Sequence, residues 1–194
     1  GGGAGGDDES DEEERRRRRE RRRRRRDEDS DNSSTVIAWA GAVDPSTTYN
    51  VNTQNMTGPP DDQLGYHTGS WDKKAVLKNF DFGPQNGTIE KVEILFSLCT
   101  DYPVNNDRLQ ASIQLENGQT VVFPDPAWGK STSPSLNDYV GVPYLGFIVV
   151  DITQYQNWDW SFFDPEWKLT IEGIKVGGSD GAHVYIDAVG VRVT

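Results

Sequence analysis

Cysteine is nearly missing from this chain of 194 residues. Cys99 stands alone, which excludes an intrachain disulfide and any zinc site built from several thiolates. It closes the apolar run Ile94–Cys99 and reads as a buried, inert thiol. Histidine is almost as scarce, with His67 and His183 only, and neither sits in a metalloprotease helix pattern. No nucleophile elbow and no phosphate-cradling glycine loop occurs, and no apolar run approaches the length of a membrane span. Glu90 and Glu93 share a strand but are three residues apart, so they face opposite ways and cannot act as a glycosidase pair. The chain is therefore expected not to be an enzyme. Apolar side chains are also missing from the first 34 positions, where Ala4 is the largest, so this stretch has no core to bury.

What is present divides at a seam: a charged low-complexity arm, Gly1–Asn32, and a body, Ser33–Thr194, that holds all 6 Trp, 7 Tyr and 7 Phe. The arm has 12 acids against 11 arginines, while the body has 19 acids against 9 lysines and arginines. Nearly all of the net charge of −11 thus lies on the body, which makes nucleic acid an unlikely partner. In the arm, Asp7–Glu14 is acidic, Arg15–Arg26 is basic except for Glu20, and Asp27–Asp31 returns to acid. Acid before base suits a helix dipole, and Glu12–Glu14 precede Arg15–Arg18 at ion-pairing spacing. The arginine run repels itself, however, so the arm reads as a solvated spacer with transient helix. Two alternatives remain open: the arginine-rich arm of a small viral coat protein, or acid and base blocks that pair between adjacent subunits.

In the body, eight segments read as strands and none of useful length as a helix. Leu109–Glu116 alternates without error, and Asn117-Gly118 then predicts a type I′ hairpin into Thr120–Phe123. The others are Thr35–Gly41, Ala75–Phe82, Glu90–Leu98, Gly146–Ile152, Trp167–Val176 and His183–Thr194. Leu169 and Ile171 are out of phase with Ile174 and Val176, which predicts a bulge near Gly173. Eight short strands punctuated by Gly, Pro and Asn predict an all-β, two-sheet antiparallel sandwich, most simply a jelly roll.

The stretch Asn52–Asp62, with its Gly58-Pro59-Pro60-Asp61-Asp62 turn, resembles the early loop of galactose-binding-like jelly rolls. Val150-Asp151-Ile152-Thr153, Trp158 and Val184–Val189 are similar to later strands of that group. Asp62 stands where the family usually has Gly. The resemblance implies a structural calcium joining the early loop to the last strand, with Asp61 or Asp62 and Asp187 as ligands. Asp187 also shares the face of Val189, Val191 and Val193 if alternation holds, and a buried carboxylate there needs a metal or several donors, unless a bulge turns it out.

Trp158 and Trp160 project the same way in an extended segment, as a platform for a sugar ring, with Tyr155 nearby and Trp71 as a wall. The other reading of these rings is a plug for one end of the sandwich. Asn32, Asn55 and Asn86 begin glycosylation sequons, which favour an extracellular or cell-surface address. The strand Thr35–Val43 is apolar on both faces, with Val36, Ile37 and Trp39 as candidate assembly contacts. The leading expectation is a structural subunit that self-assembles into a fibre, sheath or filament, in which this strand completes a neighbour's sheet. A carbohydrate-binding module is the alternative, and a small viral coat protein the third.

Overall fold

The computed structural model describes residues 6–30, 34–141, 146–178 and 180–194. The chain forms two compact units, Gly1–Ser34 and Thr35–Thr194. The first is a single α-helix, α1 (Gly6–Ser30), continuous over 25 residues where a transient helix was expected. Arg17 binds Glu13 at 2.7 Å and Arg18 binds Glu14 at 2.5 Å. Both are acid-first i,i+4 pairs, the order that also suits the dipole. Among the described residues, no helix is long and apolar enough to cross a membrane.

The second unit is all-β and antiparallel. Its strands are β1 (Val36–Val43), β2 (Gly65–Tyr66), β3 (Lys74–Phe80), β4 (Val92–Thr100), β5 (Arg108–Gln114), β6 (Thr120–Trp128), β7 (Ile148–Asp151), β8 (Leu169–Ile174) and β9 (Val184–Val193). They follow the order β6-β5-β8-β3-β1-β9-β4-β7, with β2 beside β9. β1 joins two ladders. Val36–Trp39 pairs with β9, and Ala40–Val43 pairs with β3. The result is a near-barrel arrangement of the β-sandwich or jelly-roll type. Its interior is filled by Ala38, Phe80, Ile94, Phe96, Leu109, Phe123, Ile171 and Val191, all at most 2% exposed.

Three local expectations are corrected. A two-residue strand, β2, joins the eight expected ones; it is too short to show a period. The β5–β6 turn is not type I′, because Gly118 alone has positive φ, at 83°. Gly118 N–H donates to Leu115 O and Leu115 N–H to Gln119 O, which makes a three-residue loop ending in a left-handed glycine. No bulge occurs at Gly173, since β8 pairs with β5 in unbroken register. Instead the Trp71 carbonyl would lie 2.0 Å from a Cβ at that position, and the strand ends one residue later. Each half of β1 is paired within its own chain, Val36–Trp39 with β9 and Ala40–Val43 with β3.

Candidate functional site

Antiparallel register decides which side chains share a face. Trp39 pairs with Gly190, Gly190 with Leu95, and Leu95 with Val149, so these four form one row across β1, β9, β4 and β7. The adjacent core-facing row is Ala38, Val191, Ile94 and Val150, so the first row points outward. The outward row is apolar. Trp39 is half-buried, with its ring 5.9 Å from that of Phe147, and Val149 is 44% exposed. Gly190 is required there because a Cβ would lie 2.7 Å from the Trp39 ring.

The next outward row is Ile37, Arg192, Glu93 and Asp151. Arg192 grips Glu93 through two bonds, Nε to Oε1 at 3.1 Å and NH2 to Oε2 at 3.3 Å, which neutralises this carboxylate within the face. All nine residues of β4 are buried, including the outward Glu93, Leu95, Ser97 and Cys99. Burial pushes the Cys99 thiol up to about 12, assisted by the Asp101 and Asp187 carboxylates, which makes it inert as expected.

In the middle of the face the β4–β9 register shifts between Ser97 and Leu98, leaving Asp187 as the extra residue. That bulge removes Asp187 from the face of Val189, yet it stays fully buried. Asp187 Oδ1 accepts N–H bonds from Asp61 (3.1 Å) and Asp62 (3.2 Å), and Oδ2 accepts from Ser97 Oγ (3.4 Å). Asp62 is left-handed (φ 61°), so two successive amides form an anion-holding nest and Asp187 is its anion. Burial raises the Asp187 carboxyl to about 7 against the pull of the Asp61 amide, and the Asp61 and Asp62 carboxylates raise it further.

The backbone of the early loop meets Asp187, but it offers amide hydrogens where a cation needs oxygen ligands. Among the described residues, no three His, Cys, Asp or Glu side chains converge to hold a metal ion. The residues present do not fit a calcium centred on Asp187.

At the upper end of the face, Tyr66, Tyr185 and Cys99 form a row, with the two tyrosine rings stacked at 4.5 Å. Nearby, His183 binds Asp101 through Nδ1 at 3.0 Å, and its ring lies 5.2 Å from that of His67. His67 is 1% exposed, and its Nε2 accepts the Val184 amide at 3.0 Å, so its proton is on Nδ1. Burial depresses His67 to about 4, with His183 adding to the effect. The only two histidines thus meet across 116 positions, and no local sequence signal announces it.

The tryptophan platform is not formed. Trp158 is 8% exposed, lies parallel to Phe163 and donates Nε1–H to Ile152 O; Trp71 is 4% exposed and donates to Arg108 O. Trp160 is half-buried with its edge against Phe82, and Tyr155 stacks on Phe123. The extended periodicity failed because 3₁₀ turns at Thr153–Tyr155 and Trp160–Phe162 break the segment. Asp159 capping Ser161 was the available signal. Trp158 packs with Phe163 and Trp167 at the Gln114 end of β5, beside a cleft of about 350 Å³ lined by Gln114, Glu116, Phe162, Asp164, Trp167 and Lys168 among others, whereas Trp71 lies at the Arg108 end.

Of the sequons, Asn86 is exposed, Asn55 is half-buried and donates Nδ2–H to Leu64 O, and Asn32 lies outside the described residues. Glycosylation of Asn55 would cost that bond. An antiparallel all-β domain with one apolar outward sheet face is the class that fold and site define. No known family matches the chain, and no curated protein is similar to it.

Proposed function

We propose that the body is a non-enzymatic, galactose-binding-like jelly roll that acts outside the cell as a self-associating structural subunit. Two copies meet through the outward face of β1, β9, β4 and β7. One observation carries this reading: the row Trp39, Gly190, Leu95 and Val149, extended by Phe147 and Ile37, is apolar and points away from the core. Interface centres are depleted of charge and enriched in aromatics in this way. The body's excess of acid opposes close approach elsewhere, whereas here Glu93 is already neutralised by Arg192. A two-fold contact suits such a patch, since the same surface serves both partners. The contacts on this face are Ile37 and Trp39, whereas Val36, which pairs with Val193, shares the core-facing side of Ala38 and lies outside the patch. A glycan at Asn86 would be compatible with this address.

The test is sedimentation of the wild type, of Trp39→Asp and of Thr170→Asp, which puts the same charge on the outward face of the other ladder. In high salt, where contacts between exposed charges are screened, Trp39→Asp should fall to the mass of one chain with its β signature intact, and Thr170→Asp should not. A wild type that stays monomeric at millimolar concentration in high salt, where charge repulsion is screened, would remove the reading.

A second reading is carbohydrate binding at the cleft between Gln114–Glu116 and Phe162–Lys168, favoured by the Phe162 and Trp167 rings beside amide and carboxylate groups. Binding of soluble oligosaccharides by the monomeric Trp39→Asp variant, lost on Phe162→Ala, would promote it.

A further inference from the structure

The arm has no apolar seam, yet it is a continuous helix, and its charges are arranged in blocks. Asp7–Glu14 contributes seven acids over eight positions, and Arg15–Arg26 contributes eleven arginines over twelve. Within α1 only part of the basic block can be served by the acid block, through pairs such as Glu13–Arg17 and Glu14–Arg18. Arginines four apart along Arg15–Arg26 repel one another. A partner for this helix has to be acidic where it is basic, and basic where it is acidic.

A uniform polyanion does not meet that demand. The basic block is only about 18 Å long at 1.5 Å per residue, so a phosphate chain crossing it meets acid within a Debye length on either side. A second copy of the same helix does meet it, in one orientation. Parallel alignment sets acid against acid and arginine against arginine. Antiparallel alignment about a two-fold axis near Arg16 and Arg17 lays Asp7–Glu14 of each copy along Arg19–Arg26 of the other.

We infer that α1 is a homotypic docking element that pairs antiparallel with α1 of a second copy through complementary charge blocks. This contact is separate from the sheet face and does not need it. Where both operate, the consequence rests on the proposed self-association: two different two-fold contacts per subunit alternate along an open chain, whereas one alone stops at a dimer.

Spin labels on the full chain test this, placed on Ser10→Cys or Arg16→Cys, with buried Cys99 left unreactive. Measurements are made in the Trp39→Asp background so that sheet-face association does not contribute. At low salt, antiparallel pairing puts two labels at position 16 about 10 Å apart, and two at position 10 about 20–25 Å apart. Equal short distances at both positions would mean parallel packing and overturn the proposal, as would no dipolar coupling at either position.

Raising NaCl from about 50 to 300 mM should weaken the pairing roughly tenfold or more, since its charges are exposed. A variant with Glu12, Glu13 and Glu14 changed to Arg should not pair with itself. It should pair when mixed with a variant carrying Arg19→Glu and Arg21→Glu, whose acids at 19, 20 and 21 face positions 14, 13 and 12 in this register. Failure of that mixture to pair, with both helices intact by circular dichroism, would also overturn the proposal. Absence of sheet-face dimers in the wild type, with arm pairing retained, would sink only the proposed function.

Discussion

The two ladders of the body obey the same alternation but treat their outward sides differently. Across β3, β8 and β5 the outward rows are Lys74, Glu172 and Gln110, then Val76, Thr170 and Ser112, a mostly polar face of ordinary type. Across β1, β9, β4 and β7 the outward rows carry Trp39, Gly190, Leu95 and Val149, and β4 shows no exposed position at all. Both ladders pack inward on one core, so the fold does not require the second arrangement. Part of that face is covered by the chain itself, since Leu95 is fully buried and the Trp39 ring lies over Gly190, which leaves Ile37, Trp39 and Val149 as its accessible apolar groups.

The sharpest way to break this comparison is to remove the fully buried acid of the apolar face. Asp187→Ala leaves the Asp61 and Asp62 amides and the Ser97 hydroxyl without this acceptor, and should cost ~2–4 kcal/mol in urea unfolding. Glu172→Ala, exposed on the other face, should change stability by less than ~0.5 kcal/mol. Equal effects would mean that the two faces do not differ in energy as they do in burial.

Next in size is Gly190→Val. Its branched side chain collides with the Trp39 ring and should cost ~1–3 kcal/mol by overpacking, while Thr170→Val on the other face should be nearly neutral. A mild Gly190→Val effect, with Trp39 fluorescence unchanged, would show that the ring is not held against β9.

A smaller effect sharpens the picture at the upper end of the face. The folded pKa of His67 is depressed from 6.5 to about 4, so the unfolded chain takes up the proton first. Its contribution is complete above pH 6.5 and is lost as pH falls towards 4. Asp187 acts with opposite sign between 3.8 and 7, because the folded state holds its proton. The quantity to measure is therefore the difference between the wild type and His67→Gln, whose amide oxygen can still accept the Val184 N–H. Parallel stability curves for the two proteins from pH 4 to 7 would remove His67 from the account. The smallest effect is expected from chelation: removing calcium should move the melting temperature by less than ~1 °C, and a calcium-dependent rise would restore the metal at Asp61, Asp62 and Asp187.

Much of the fold was readable where period and partner are local. Leu109–Glu116 shows its core face in its own alternation, and Asn117-Gly118 marks the turn even though its geometry differs. Glu93 and Ser97 look like a solvent face in β4, because the groups that cover them, Arg192 and Asp187, lie 99 and 90 positions away. The same distance hid the pairing of His67 with His183. Trp158 and Trp160 misled for the opposite reason, since a local cap at Asp159 overrode the extended spacing that would have aligned them. The early loop and β9 were brought together by resemblance, but nothing in the residue types revealed that the loop turns its amides towards Asp187.

One feature of β1 concerns load. Val36 pairs with Val193, and the Thr35 and Thr194 hydroxyls are 3.2 Å apart, so the body's chain enters and leaves at one point. Tension applied between those two points would not run through the domain. It would peel β1 from β9 one rung at a time, at low force, in contrast to a shear geometry in which the rungs resist together. A body pulled at those two points hangs beside the line of force, and its core carries no load until β1 has come away from β9.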